Sequence, residues 1–468
     1  MDPKPKTIFA RAAHALALFL LFAGGCLARD TVYVFLFFHV EDYMEPASDD
    51  AALRLAEGLY KRGVRATFKL VGEKARALEA HGRRDVIRAL AYHDIGYHTD
   101  YHSIPPAPAV YLKDMGWLEG ADEFERRERA GVAEIRRIFG VTPSCYASPG
   151  NSWGPQSFRS LRRLGIRLNL MGSGIALPRP FWLGGMLQVS GPLLPQSIGN
   201  PVTADEVMER FDRLVEQMRA RGGGVIATGC HETEFVTSKM WDAVNFDNGA
   251  SRERSEWQPA PRRTAEDTER CFRLFFCFVD HALKMPGVEF VNATDLLQLH
   301  DGPVGRPIPR ERIAAHMALR QTFIETEETT LSAAEMLLIL LGMEPREVEG
   351  PAVRHDSNYR ESRIPRPAFE RAKADVKSFI LASRRLPPEA WIGSERLSIL
   401  DFAATLAADD QSSGQVVVRR ANPEMEEYVS KDPVKAFNWR IHPQGFSAPG
   451  LLELDRLQTW TLKPARLK

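Results

Sequence analysis

Asp94-Ile95-Gly96-Tyr97-His98-Thr99-Asp100-Tyr101-His102 runs a short strand-like stretch straight into two histidines four residues apart, and the proline-rich Ile104-Pro105-Pro106 closes it. On one helical turn, positions i and i+4 share a face. Neutral imidazole is the side chain that zinc and its neighbours bind most readily. The chain holds 12 histidines, so the pair implies a metal site only in company; alone, it reads equally as a polar turn.

Working outward, residues 31–300 alternate strand-like runs with helical stretches. Thr31 to Phe38 is an unbroken β-branched and aromatic run, as expected of a strand covered on both faces. Further strands are expected at Arg65 to Leu70, Ser144 to Ala147, Arg167 to Leu170, Val225 to Thr228 and Glu289 to Asn292, with helices between them. This alternation predicts a parallel α/β sheet, closed or nearly closed into a (β/α) barrel, with chemistry at the strand ends. The aperiodic stretch Thr237 to Arg263 is longer than a passive connection needs, which suggests a lid or rim.

The chain of 468 residues exceeds what one core usually holds. Gly302-Pro303-Val304-Gly305-Arg306-Pro307-Ile308-Pro309 cannot continue a helix or strand, so residues 301–310 read as a linker between a domain at 30–300 and a helical one at 311–468. In the latter, Leu331-Ser332 and Leu397-Ser398 each open a helix, with serine as N-cap and an acidic residue three later.

Sixty-one basic and 61 acidic residues cancel, so nothing in the balance recruits nucleic acid or an anionic membrane. Basic residues, the apolar run from Ala12 to Gly25 and the small residues ending at Ala28 fit a signal peptide over 1–28. Export follows, to the periplasm, cell surface or exterior, with a lipoprotein at Cys26 or a retained anchor as alternatives. The four remaining cysteines lack a spacing that demands bridges and read as buried free thiols.

Glu41-Asp42 follows the first strand directly. Asp42 would complete a two-histidine, one-carboxylate set with His98 and His102, leaving a coordination position for water. Glu41 would then act as base on that water. His231, after the strand Gly224 to Cys230, would serve as general acid. Separately, the acidic pair could cap a helix and His231 could be a satisfied polar residue; their joint appearance at strand ends favours chemistry.

The runs Ala66-Thr67-Phe68-Lys69-Leu70-Val71-Gly72 and His93 to His102 closely resemble the polysaccharide deacetylases with a nodulation-protein-B homology domain. The resemblance covers residues 30–300 and implies a distorted (β/α) barrel and a metal-dependent carbohydrate deacetylase. It implies Asp42, His98 and His102 as ligands of a divalent ion, zinc foremost, Glu41 as base and His231 as acid. Cys145 to Gly150 stands where the family has Arg-x-Pro, so Ser148, Pro149 and Gly150 would supply the oxyanion amide. Trp153 would bind substrate, and Trp182, Trp241 and Trp257 are further aromatics able to stack on sugars.

Two departures stand out. The family's arginine is Ala147, and the base is glutamate where aspartate is usual; His39, on the same strand face, reads equally as a stand-in partner for Glu41 and as a core histidine bonded to backbone. No carboxylate outside its own segment orients His231. Residues Phe379 to Pro388 with Leu397-Ser398 are similar to pseudomurein-binding repeats, implying cell-wall attachment. The expected partner is an acetylated glycan or cell-wall polysaccharide, with no nucleic acid or integral membrane partner. A catalytically impaired glycan binder and an amidase acting on a non-sugar amide are the alternatives.

Overall fold

The computed structural model describes residues 30–468 except 171–172, 176, 190–192, 196–197, 199–201, 321, 422–427 and 438. The expected signal peptide and Cys26 lie outside the described residues. No described helix is long and apolar enough to cross a membrane.

One sheet organises the first domain. Its strands are β1 (Val32–Val40), β2 (Thr67–Leu70), β3 (Asp94–Tyr97), β4 (Cys145–Ala147), β5 (Leu168–Leu170), β6 (Phe181–Leu183), β7 (Met186–Val189), β8 (Leu193–Pro195), β9 (Gly224–His231), β10 (Val288–Val291) and β11 (Lys463–Pro464). The order is β11-β6-β7-β5-β4-β3-β2-β1-β9-β8, with β10 beside the N-terminal half of β1. From β2 to β5 and around β1 all pairings are parallel, while β6 pairs antiparallel with β7 and with β11. The path does not return on itself, so this is a distorted, open (β/α) barrel. Strands β6 to β8 are not among the strands expected from the sequence pattern.

β1 explains the two faces. Val32, Val34, Leu36, Phe38 and Val40 pack into the core beneath the helices, whereas Phe35 and Phe37 join Cys145, Ala147, Leu168 and Leu187 inside the barrel. Side chains alternate with period two along a strand, so His39 continues the inward row. The interior is tight: a Cβ on Gly229 would come within 2.2 Å of the Phe37 ring, and one on Gly96 within 2.6 Å of Lys69 and Cys145. Cys145, Cys230 and Cys271 are buried free thiols, but Cys277 is exposed.

The second domain departs from the purely helical expectation. Its core gathers Ile313, Leu337, Phe369, Ile380 and Phe402, but it also carries three hairpin-like pairs: Ile324–Glu325 with Thr330–Leu331, Glu389–Ile392 with Glu395–Ser398, and Arg363–Pro365 with Gln415–Val417. Ser332 and Ser398 do cap helices, each accepting from the backbone N–H three residues on. Part of the expected 311–468 domain packs on the barrel instead. Val429, Phe437, Phe446, Leu451, Leu452 and Leu462 belong to the barrel's core, and β11 adds an edge strand to the barrel sheet. This segment joins the barrel through tertiary contacts that its own short, irregular pattern does not announce.

Candidate metal centre

The sheet register sets the centre. His39 lies opposite Lys69 on β2 and opposite His231 on β9, and β3 delivers His98 one residue past its end. The stretch from His98 to His102 is a turn rather than the expected helical one: Thr99 and His102 take left-handed backbone angles, φ 64° and 58°. Such angles are costly for a β-branched residue. Thr99 Oγ1 holds the turn, donating to His98 O at 2.6 Å and accepting from His102 N–H at 3.0 Å.

Glu41, not Asp42, meets the histidines. Glu41 Oε2 is 3.2 Å from His98 Nε2 and 3.1 Å from His102 Nε2, which are 3.1 Å from each other. The reason is strand alternation: Glu41 extends the inward row of Phe35, Phe37 and His39, so Asp42 falls on the other side. Asp42 Oδ1 accepts the Met44 and Glu45 N–H groups at 2.9 and 3.0 Å, and Oδ2 accepts the Thr233 hydroxyl at 3.0 Å. It thus anchors the turn into the helix Pro46–Tyr60. Asp42 does not join the histidines as its expected ligand role requires, and Glu41, expected as the base, stands in the ligand's place with Oε1 accepting Trp241 Nε1–H at 3.2 Å.

Hydrogen bonds fix the tautomers. His98 Nδ1–H donates to Ala147 O at 2.8 Å, so the residue that replaces the family's arginine contributes through its carbonyl. Ser103 Oγ gives its proton to Asp242 Oδ2 and accepts from His102 Nδ1–H at 2.6 Å. Both Nε2 atoms therefore turn lone pairs toward Glu41 Oε2. Three acceptors at such spacing are mutually repulsive unless a cation lies among them, and nitrogen and carboxylate oxygen are donors that zinc and related divalent ions take. These side chains fit a metal ion.

His231 stands at the rim, its Nε2 3.7 Å from Glu41 Oε2 and its Nδ1–H donating to Glu234 Oε2 at 3.2 Å. Glu234 is the orienting carboxylate that looked absent from the sequence; three residues after His231, its Oε2 also accepts the His231 backbone N–H at 2.9 Å. Burial lowers the His231 pKa, but the charges of Glu41 and Glu234 outweigh it and carry it to about 9. Burial drives His98 down to about 4 against the pull of Glu41. Burial raises Glu41, yet His102 and His231 more than offset it and hold the carboxylate well below its ordinary value.

Around this core, Glu232 Oε1 accepts the backbone N–H groups of Glu41 and Asp42 at 3.1 and 3.3 Å. Lys74 braces the same turn, donating to Asp42 O and Ser48 Oγ and pairing with Asp49 at 2.6 Å. A cavity of about 310 Å³ opens over the cluster, bordered by Ser148, Gly150, Met240, Asp242 and Trp439. Of the expected oxyanion stretch, Ser148 and Gly150 line this cavity. Pro149 is buried and Trp153 stacks on Phe437 at 5.1 Å in the core, so neither reaches the cavity. Trp241, Phe246 and Trp257 form with Tyr43 and Val71 a small core of their own, which makes 237–263 a packed rim.

The residue that sequence reasoning missed is Trp439. Its Nε1–H donates to Asp242 Oδ2 at 2.8 Å, and Arg440 O accepts from Gly249 N–H at 3.2 Å. Gly150 admits the indole: at φ 47° it has no Cβ, which would stand 2.3 Å from Trp439 Cδ1. No local pattern ties position 439 to a barrel 200 residues earlier.

No protein-family profile matches the chain, and no curated protein matches it in sequence. Among solved structures, it is similar to one from Mycobacterium smegmatis described as a polysaccharide deacetylase, at 16% identity and TM-score 0.36, over 57% of this chain and 89% of that one. It is also similar to a family 4 acetyl xylan esterase from Clostridium thermocellum in complex with a cobalt ion, at 19% identity and TM-score 0.31, over 57% of this chain and 91% of that one. A third is BA3943 from Bacillus anthracis, a CE4 family pseudoenzyme, at 15% identity and TM-score 0.33, over 57% of this chain and 66% of that one.

Proposed function

We propose that the chain is an exported, metal-dependent hydrolase that removes acetyl groups from a glycan. The observation that carries this reading is the convergence of three proton-free acceptors, His98 Nε2, His102 Nε2 and Glu41 Oε2, at the floor of an open cavity. The motif resemblance around His98 and His102 supports the same chemistry.

His98, His102 and Glu41 would hold a divalent ion, zinc foremost, which supplies Lewis acidity toward an acetyl carbonyl and acidifies water. Trp241 keeps the Glu41 carboxylate turned to the cluster. The His231–Glu234 pair does the proton work: Glu234 fixes the imidazole with Nδ1 protonated, leaving Nε2 to exchange a proton with the leaving sugar nitrogen or oxygen. Ser148 and Gly150 line the cavity, and a backbone N–H from either would be the donor to a developing oxyanion.

The test is acetate release from N- and O-acetylated oligosaccharides by the full chain loaded with zinc or cobalt. Turnover that disappears in His98→Ala and in chelator-stripped protein supports the proposal; glycan binding with no acetate release from any loaded form sinks it. The second reading, a catalytically silent glycan binder, is favoured by Glu41 having both oxygens engaged, and that last outcome would establish it.

A further inference from the structure

At the other end of the barrel from the cluster lies a cavity of about 480 Å³ lined mainly by arginines. The helix Gln156–Arg163 gives it Arg159, Arg162 and Arg163, Arg167 enters just ahead of β5, and the second domain adds Glu347, Glu349 and Arg384. The strands β1 to β5 run parallel and carry the cluster at their C-terminal ends, whereas Arg167 precedes the N-terminal end of β5. The cavity is thus separate from the site described above.

Its carboxylates are already occupied. Glu349, buried, accepts Arg159 Nη1–H at 2.7 and 2.8 Å through its two oxygens, Arg162 Nη2–H at 2.6 Å and Trp117 Nε1–H at 2.9 Å. Glu347 accepts Arg162 Nη1–H and, with both oxygens, Arg167 Nη1–H at 3.0 Å. Arg163 pairs with Asp122 and Glu125. A guanidinium has five N–H donors, so Arg159 and Arg167 keep Nε and Nη2 for a further acceptor. Arg384 makes no ion pair among the described residues. The lining is therefore cationic, in a chain whose charges otherwise cancel.

Arg384 sits where a side chain is least welcome. It ends the helix Arg366–Ser383 with φ 53°, in left-handed angles that glycine adopts at least cost. Exposed, it also borders a second hollow of about 420 Å³ with Arg346, Ile380 and Leu381, so the two hollows adjoin across this one cation. A lone anion would occupy one hollow only. A chain that alternates acidic groups with C–H faces, as acidic sugars do, spans both.

We propose that this seam binds an acidic glycan, a sugar chain bearing carboxylate or phosphate groups, with Arg159, Arg167 and Arg384 taking its anions in the first hollow and Arg346 in the second. Planar guanidinium forks match either group. The seam shares no residue with the metal cluster or its cavity, so binding there is independent of the metal.

The experiment titrates the full chain by calorimetry, at low and high salt, with oligogalacturonate, phosphorylated dextran, neutral xylo-oligosaccharide, inorganic phosphate and duplex DNA. Arg384→Gly suits the left-handed angle and Arg346→Ala lies at an exposed position; both leave the Glu347 and Glu349 pairs in place, and melts check that they fold. Expected is salt-sensitive binding of at least one acidic glycan, about tenfold weaker in each variant, with the two acidic probes telling carboxylate from phosphate recognition. Acidic glycans bound no better than the neutral one, or equally well by wild type and both variants, overturn the proposal. So does inorganic phosphate or DNA binding as tightly as the acidic glycans.

Discussion

The Trp241 indole N–H donates to Glu41 Oε1 at 3.2 Å, from a segment 200 residues away in the chain. This bond lets the carboxylate present a single oxygen to His98 and His102. Partners that orient a ligand typically matter 10- to 100-fold in metal affinity. Trp241→Phe removes the donor and keeps an aromatic ring among Tyr43, Phe246 and Trp257, while the smaller ring leaves a cavity in a fully buried site. Its expected effect is a loss of roughly tenfold in affinity for Zn²⁺ or Co²⁺, read by chelator competition on the folded variant, together with a lowered Tm.

Glu41 and Asp42 should separate cleanly. Glu41→Ala is expected to abolish metal binding. Asp42→Ala should leave detectable binding but lower stability, because Met44 N–H, Glu45 N–H and the Thr233 hydroxyl lose one acceptor together. Loss of a cap alone costs about 1 to 2 kcal/mol. Thermal melts and metal titrations on both variants check this, and the reverse pattern would restore Asp42 as the ligand.

The divergence between Glu41 and Asp42 shows how far the sequence can be read. The strand-end acidic pair, the two histidines and His231 were all legible, as was the parallel α/β alternation. What chose between the two carboxylates was period-two alternation continued from Phe35 through His39 to Glu41, a signal present in the sequence but not decisive at a strand end, where either carboxylate could turn toward the histidines. Position 439 was a different case. Trp439 reaches the cavity because the segment after 428 packs its apolar residues on the barrel and adds β11 to its sheet, and contacts across that span leave no periodic trace.

Asp455 predicts a pH dependence of stability. It is fully buried on the helix Pro449–Gln458, with Gly174 N–H donating to Oδ2 at 2.7 Å and no partner for Oδ1 among the described residues. Burial raises its pKa from 3.8 to about 7, against the smaller pull of Gly174 and Arg456. The folded pKa exceeds the unfolded one, so the folded chain binds the proton more tightly. The stability this contributes is complete below pH 3.8 and is lost as pH climbs toward 7. Each pKa unit is worth about 1.4 kcal/mol. Melts of wild type and Asp455→Asn between pH 4 and 8 should show the variant's Tm declining less over that window; parallel curves would show that Asp455 titrates normally.

Trp439 predicts a division between substrates. Its indole is 36% exposed at the cavity rim, tied by Nε1–H to Asp242 Oδ2 and laid against Gly150, outside the donor cluster itself. A sugar ring entering the cavity meets this aromatic surface, and stacking of this kind is worth about 0.5 to 1.5 kcal/mol. Trp439→Ala should therefore weaken binding of acetylated oligosaccharides roughly 3- to 10-fold, seen as a raised Kd by calorimetry or a raised KM with kcat retained. Hydrolysis of a small acetyl ester, which offers no sugar face, should be unaffected. Trp439→Phe, which keeps a ring but removes the indole donor to Asp242 Oδ2, should recover most of the glycan affinity if stacking is the contribution. If Phe behaves like Ala, the bond to Asp242 is what matters, and Asp242→Asn would then weaken glycan binding to the same degree.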